Sequence, residues 1–170
     1  MNQSSPSRVV YGSHYGSTKR YALAFAKSHD YPCDDIHHIH DLTIVSTIYA
    51  FVAIYAGGLV GLKQLVKRLD ANQILIVITV GIADPQSSDT IKDRDLMVNE
   101  HCLNHPPIRI YHLRGSIDHN HLKWHHKMMM KIMHTMLKHQ QSYSSSDQAF
   151  LDTYGQTNDF VDLDQLKAIE

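Results

Sequence analysis

The chain has 170 residues, 43% of them hydrophobic, which marks a globular protein with one core large enough to stand without staples. Its 16 Lys plus Arg nearly balance 17 Asp plus Glu, which argues against a strong pull toward nucleic acid or an acidic partner. Two cysteines, Cys33 and Cys102, form no C-x-x-C pair and no disulfide framework, so a cytoplasmic setting is expected; residues 1–8 lack the apolar run of a secretory signal.

Residues 8–12 read as a first strand, followed by a loop of small and hydroxyl residues and then a helix over 17–29. Tyr21, Ala22, Phe25 and Ala26 recur there at helical spacing. Such a strand–loop–helix gathers backbone N–H groups at the positive end of a helix, where a phosphate is well held. Ser13, Ser17 and Thr18 could add hydroxyl donors, and Gly16 permits close approach. Neither G-x-x-x-x-G-K-[ST] nor G-x-G-x-x-G is present, so two readings stand for this segment alone: a phosphate loop of another kind, or a capped turn without ligand.

Residues 33–40 suggest a poor, polar edge strand. Residues 42–62 carry no charge and are long enough to cross a bilayer. A buried strand over 48–54, a Tyr-Ala-Gly-Gly turn and a helix start is the preferred alternative. Thr43, Ser46, Thr47 and Gly57-Gly58 interrupt the run, and Leu59, Leu62, Leu65, Val66 and Leu69 continue one helical stripe through Lys63, Lys67 and Arg68.

Residues 74–80 form a continuous apolar run expected of a fully buried parallel strand, with its turn at 81–85. A helix over 89–103 follows, with Ile91, Val98 and Cys102 on one face, before Pro106-Pro107 and a last strand over 108–113. Arg114-Gly115 should break that strand, and a long helix is expected over 119–139. Its expected inner stripe is Leu122, His126, Met129, Met133, Met136 and Leu137, with Lys123, Lys127, Lys131, His134 and Lys138 facing solvent. The Met cluster at 128–130 accordingly reads as core packing. Residues 142–146 are a Ser-rich linker, and short helical turns are expected around Phe150 and Leu166.

Strands alternating with helices predict an α/β domain with a five-stranded parallel sheet in the order 2-1-3-4-5 and helices on both faces, a three-layer sandwich. A ligand would then sit at the carboxyl ends of strands one and three. Residues 1–141 are assigned to this domain and 142–170 to a tail packed upon it.

Three segments fall at those carboxyl ends: Tyr-Gly-Ser-His-Tyr-Gly-Ser-Thr, Ile-Tyr-Ala-Gly-Gly-Leu-Val-Gly-Leu-Lys and Thr-Val-Gly-Ile-Ala-Asp-Pro. Together they resemble the loops of flavodoxin-domain proteins. More narrowly, with His-Leu-Arg-Gly-Ser-Ile-Asp and the His-Lys-Met-Met-Met run, they look like the group related to the flavodoxin-type, menaquinone-dependent protoporphyrinogen oxidase.

The resemblance implies FMN, with its phosphate at Ser13, His14, Tyr15, Gly16, Ser17 and Thr18. Its isoalloxazine would lie between Tyr55, Ala56, Gly57 and Gly58 on one side and Gly81, Ile82, Ala83, Asp84 and Pro85 on the other. Asp84 could bias the flavin or simply cap the following turn. The implied functions are an FMN-dependent oxidoreductase using a small-molecule donor or acceptor such as a quinone or porphyrinogen, an electron carrier to a protein partner, or a binding module on the same fold. No nucleic-acid partner is expected. The basic side of the long helix suggests weak peripheral contact with an anionic membrane, at its inner face.

Other candidates point elsewhere. His37, His38, His40 and the pair His125-His126 are metal-ligand types, yet neighbours on a strand or helix diverge, so surface positions are expected. Ser13 lacks the G-x-S-x-G elbow of a hydrolase nucleophile.

Overall fold

A computed structural model describes residues 6–39 and 41–170. The N-terminal residues 1–5 and His40, where the absent signal segment and one metal-ligand candidate were read, lie outside the described residues. In chain order, β1 (Ser7–Gly12) leads into α1 (Ser17–His29), β2 (Cys33–Asp35), β3 (Thr47–Tyr55), β4 (Gly58–Leu59) and α2 (Leu62–Val66). Then come β5 (Ile74–Gly81), α3 (Ser88–His101), β6 (Arg109–Arg114), β7 (Ser116–Asp118), α4 (Trp124–Leu137), α5 (Ser145–Thr153), β8 (Thr157–Asp159) and a 3₁₀ turn over Leu163–Ala168.

The main sheet runs β2-β1-β3-β5-β6, all parallel, with β4 added antiparallel to β3. Counting its five parallel strands alone, this is the order 2-1-3-4-5, and the architecture is the expected flavodoxin-like α/β sandwich. Adjacent strands are in register at Val10↔Ala50 and Ala50↔Val77, which aims these residues at one face. Their neighbours Val9, Tyr49 and Ile76 point to the other. The first face is covered by Leu62 and Leu65 of α2 and Val98 of α3. The second is covered by Tyr21, Phe25 and Ala26 of α1, together with Leu166 and Ile169 from the 3₁₀ segment. Each large side chain sealed in this way contributes about 1.5–3 kcal/mol relative to exposure.

Several elements differ from expectation. The uncharged stretch 42–62 is β3, a tight turn, β4 and the start of α2, and no helix among the described residues is long and apolar enough to cross a membrane. Leu59 lies in β4, so α2 is shorter than the stripe suggested, although Leu62, Leu65 and Val66 are buried. The buried positions of α3 are Thr90, Arg94 and Val98, whereas Ile91 is 37% exposed. A charged residue therefore occupies the inner face.

The long helix differs most. Residues 116–118 form β7, which pairs antiparallel with β8, and α4 begins only at Trp124. Its buried positions are Met130 and Leu137, with His126, Lys127 and His134 half-buried beside them. Met129, Met133 and Met136, expected inside, are exposed, as are Met128 and Ile132. The face is rotated because polar contacts decide it. His126 bonds Tyr15, His134 stacks on Tyr154 at 4.0 Å, and Lys127 Nζ donates to the Asn120 carbonyl at 2.9 Å.

The Ser-rich stretch is a helix cap in addition to a connection. Ser144 Oγ accepts from the Asp147 N–H and Asp147 Oδ2 accepts from the Ser144 N–H, a reciprocal box that starts α5. Cys102 is buried and Cys33 half-buried; both thiols are free, and burial raises each to about 11. His37 and His38 are exposed, and no group of three potential metal ligands gathers among the described residues.

Candidate functional site

Because β1, β3 and β5 are adjacent and parallel, the loops 13–18, 55–58 and 81–85 emerge at one edge of the sheet. The first loop turns on Ser13, whose Oγ accepts from the Gly16 N–H at 3.1 Å. Gly16 precedes α1 with φ 96° and ψ −19°, and no side chain caps the helix. No acidic residue sits in its first turn, so the positive end of α1 is uncompensated. Thr18 is 1% exposed, and its Oγ1 has no hydrogen-bond partner. An orphaned buried hydroxyl at a helix start is costly in a finished protein and suits a site awaiting an acceptor.

The second loop is a two-residue hairpin between β3 and β4, with Tyr55 opposite Gly58. Ala56 at φ 50° and Gly57 at φ 74° both adopt the left-handed region, as a type I′ turn requires. For Ala56 this is a strained conformation, of the sort that collects at ligand sites. The hairpin crosses the end of β1 closely: a Cβ on Gly12 would stand 2.1 Å from the Val60 carbonyl oxygen. Only glycine lets the first and second loops approach in this way.

The third loop is braced from behind. Gly115 N–H donates to the Gly81 carbonyl at 2.8 Å, Arg114 Nε to Ile82 O at 2.9 Å, and Arg94 Nη2 to Ala83 O at 2.9 Å. Arg94 Nη1 also reaches Leu113 O at 3.1 Å. With these carbonyls bonded from behind, the backbone donors the loop can turn to a ligand are the N–H groups of Ile82, Ala83 and Asp84, since Pro85 has none. The Asp84 carboxylate accepts from the Gln86 N–H at 2.9 Å, closing the turn before α3. Burial lowers the Arg94 guanidinium to about 10 against the opposing pull of Asp84.

An aromatic cluster lies between the first two loops. His14 and Tyr55 meet with ring centroids 4.7 Å apart, and Tyr55 lies 4.8 Å from His126 of α4. Tyr15 Oη is hydrogen-bonded to His126 Nδ1. Burial, with Tyr15 adding in the same direction, pushes the Tyr55 phenol up to about 12, and no hydrogen bond of good geometry satisfies its hydroxyl. Burial is also the first cause holding His14 and His126 below the ordinary imidazole range. Beside the third loop a cleft of about 420 Å³ opens, bordered by Asp84, Ser87, Arg114, Asp152, Asn158 and Phe160. Arg114 lies over the Phe160 ring at 3.7 Å, and Asn158 Nδ2 is buried there without a partner.

The structure thus brings all fifteen sequence-selected positions to one edge of the sheet. His126, Arg94, Arg114 and Gly115 were not selected. Arg94 had a signal, since it shares the four-residue spacing of Thr90 and Val98. His126, though expected on the inner stripe of its helix, had no signal for this site, because its partner Tyr15 lies 111 residues away in sequence.

Residues 8–144 match the family model of the flavodoxin domain. The chain belongs to the flavodoxin-domain family. No curated protein sequence is significantly similar to it. Among solved structures, this flavodoxin-domain protein is similar to a candidate flavoprotein from Bacteroides uniformis, at 18% identity and a TM-score of 0.45 over 66% of this chain and 90% of the other. The Trp repressor binding protein from Bacillus subtilis gives 17% identity and a TM-score of 0.44 over 64% and 84% of the two chains. A flavodoxin from the domain Archaea gives 12% and 0.46 over 95% and 99%.

Proposed function

We propose that this flavodoxin-domain protein binds one FMN per chain and acts as an oxidoreductase toward a small-molecule donor or acceptor, of the quinone-linked or protoporphyrinogen-oxidising type. The observation that carries the flavin is the convergence of an uncapped helix start, a left-handed hairpin and a loop with its carbonyls tied back. The residues fit the group. Ser13, Ser17 and Thr18 with the first-turn amides would hold the phosphate, and the orphaned Thr18 hydroxyl would gain an acceptor. Tyr55 and His14 would offer their rings to the isoalloxazine, and the N–H groups of Ile82, Ala83 and Asp84 would offer donors to its acceptor edge. FMN supplies one- and two-electron transfer; the protein supplies binding, orientation and the electrostatics that set its potential.

The cleft of about 420 Å³ beside the third loop, bordered by Asp84, Arg114 and Asp152, offers room for a small polar reactant. The net charge of −1 supports a small-molecule reactant over a purely protein-to-protein carrier, since the chain as a whole carries no strong acidic field to steer a basic partner. Titration of the apoprotein with FMN and with riboflavin tests the flavin and its orientation together. Thr18→Val with Ser13→Ala should weaken FMN much more than riboflavin. Equal weakening would move the phosphate elsewhere, and no binding of either would leave a module without flavin.

A further inference from the structure

Helix α4 presents its apolar side to water. Trp124 is 73%, Ile132 56% and Met136 64% exposed, and Met128, Met129 and Met133 are exposed between them. Successive residues turn by roughly 100°, so Trp124, Met128, Ile132 and Met136 line one side over about 20 Å while Met130 and Leu137 point inward. A shallow groove along this side is lined by Met128, Lys131, Ile132, Thr135, Met136 and His139. An apolar face of this length on a folded domain marks a binding surface.

Charge identifies the occupant. Between Asp118 and Asp147 the sequence contains no acidic residue, but it contains Lys123, Lys127, Lys131 and Lys138. Lys123, Lys131 and Lys138 are exposed around the apolar residues. Apolar side chains with a lysine rim are the composition of helices that lie in a lipid interface, with the apolar side among the acyl chains and the ammonium groups at the headgroups. A second copy fits less well, since two such faces would bring lysine rims together. A nucleic acid would use the lysines and leave Ile132 and the methionines in water.

We infer that α4 is a membrane-docking helix and that its outer face seats on an anionic lipid surface. The same helix contacts Tyr15 and Tyr55 through His126, so docking would hold the loops 13–18 and 55–58 beside that surface. The inference rests on exposure and charge and is independent of the flavin.

The single tryptophan of the chain, Trp124, is a built-in reporter. Full-length protein is mixed with vesicles of phosphatidylcholine alone and with vesicles containing phosphatidylglycerol, and both sedimentation and Trp124 emission are followed. Binding to the anionic vesicles with a blue-shifted emission is expected, with little binding to neutral ones. Ile132→Asp with Met136→Asp, both at exposed positions, should reduce binding at least tenfold while far-UV circular dichroism is unchanged. Lys123→Gln, Lys131→Gln and Lys138→Gln together should reduce it on the order of 100-fold. Equal binding to both vesicle types, unshifted emission, or a concentration-dependent dimer that Ile132→Asp dissociates would each overturn the inference.

Discussion

A hydrogen bond joins Tyr15 Oη of the first loop to His126 Nδ1 of α4, across 111 residues of chain. It is the contact that ties the rotated helix to the phosphate-type loop, and Tyr55 packs against both rings. A double-mutant cycle with Tyr15→Phe and His126→Ala should give a coupling of about 0.5–1.5 kcal/mol in urea denaturation. Strictly additive effects would mean that the helix is held by Met130, Leu137 and its contacts to Tyr154 and Asn120, without this bond.

The approach of Gly12 to Val60 predicts a severe effect from a small change. Gly12→Ala places a methyl group against a backbone oxygen, which has no rotamer with which to yield. We expect a loss of about 1–3 kcal/mol, the usual cost of overpacking, with weakened flavin binding because the first two loops are forced apart. Wild-type stability in that variant, measured by chemical denaturation, would show that the hairpin shifts without penalty.

Arg94 tests how the third loop is held. Arg94→Met keeps much of the buried volume but strands the carbonyls of Ala83 and Leu113. Destabilisation on the order of 3 kcal/mol is expected, with faster hydrogen exchange at residues 82–84. A change below about 0.5 kcal/mol would assign the bracing to Arg114 and Gly115.

His112 predicts a pH dependence. Its Nδ1 lies 2.8 Å from Thr79 Oγ1 and its Nε2 3.1 Å from Asp95 Oδ1, with the side chain almost sealed from solvent. Burial first, then the Arg94 charge, holds the imidazole below its ordinary range, while Asp95 pulls the other way. The unfolded state therefore takes up its proton first. The stability from neutral His112 is complete above about pH 6.5 and is lost as the pH falls through the lower folded value. The drop in unfolding free energy between pH 7.5 and pH 5.5 should be smaller in His112→Asn; His14 and His126 leave a residual slope of the same sign. An unchanged drop would mean that His112 titrates alike in both states.

The sheet was legible because its signals are local. The run around Ile76 reads as a buried central strand outright, the run around Ile48 does so once Thr43, Ser46, Thr47 and Gly57-Gly58 break the uncharged stretch, and the small-residue loops announce their own ends. The face of α4 was not legible, since methionine, leucine and isoleucine occur on almost every side of it. Periodicity then selects no direction, and ring and hydrogen-bond contacts to Tyr15 and Tyr154 decide it. The β7–β8 pair was equally hidden: three-residue polar strands carry no alternation, and their register, Ile117↔Asn158, is set by chain far downstream.

Tyr21 gives its hydroxyl proton to the Arg114 carbonyl at 2.8 Å and accepts from the Asp162 N–H at 2.9 Å, while Leu166 and Ile169 close the apolar layer over the same helix. During synthesis α1 leaves the ribosome well before the segment that seals it, since Asp162 follows Tyr21 by 141 residues. The nascent chain must carry the Phe25 face of α1 only partly covered until that late segment arrives, and closure is a slow, long-range event. A fragment ended at residue 144, where the family match stops, would keep every strand of the parallel sheet and still never complete this layer.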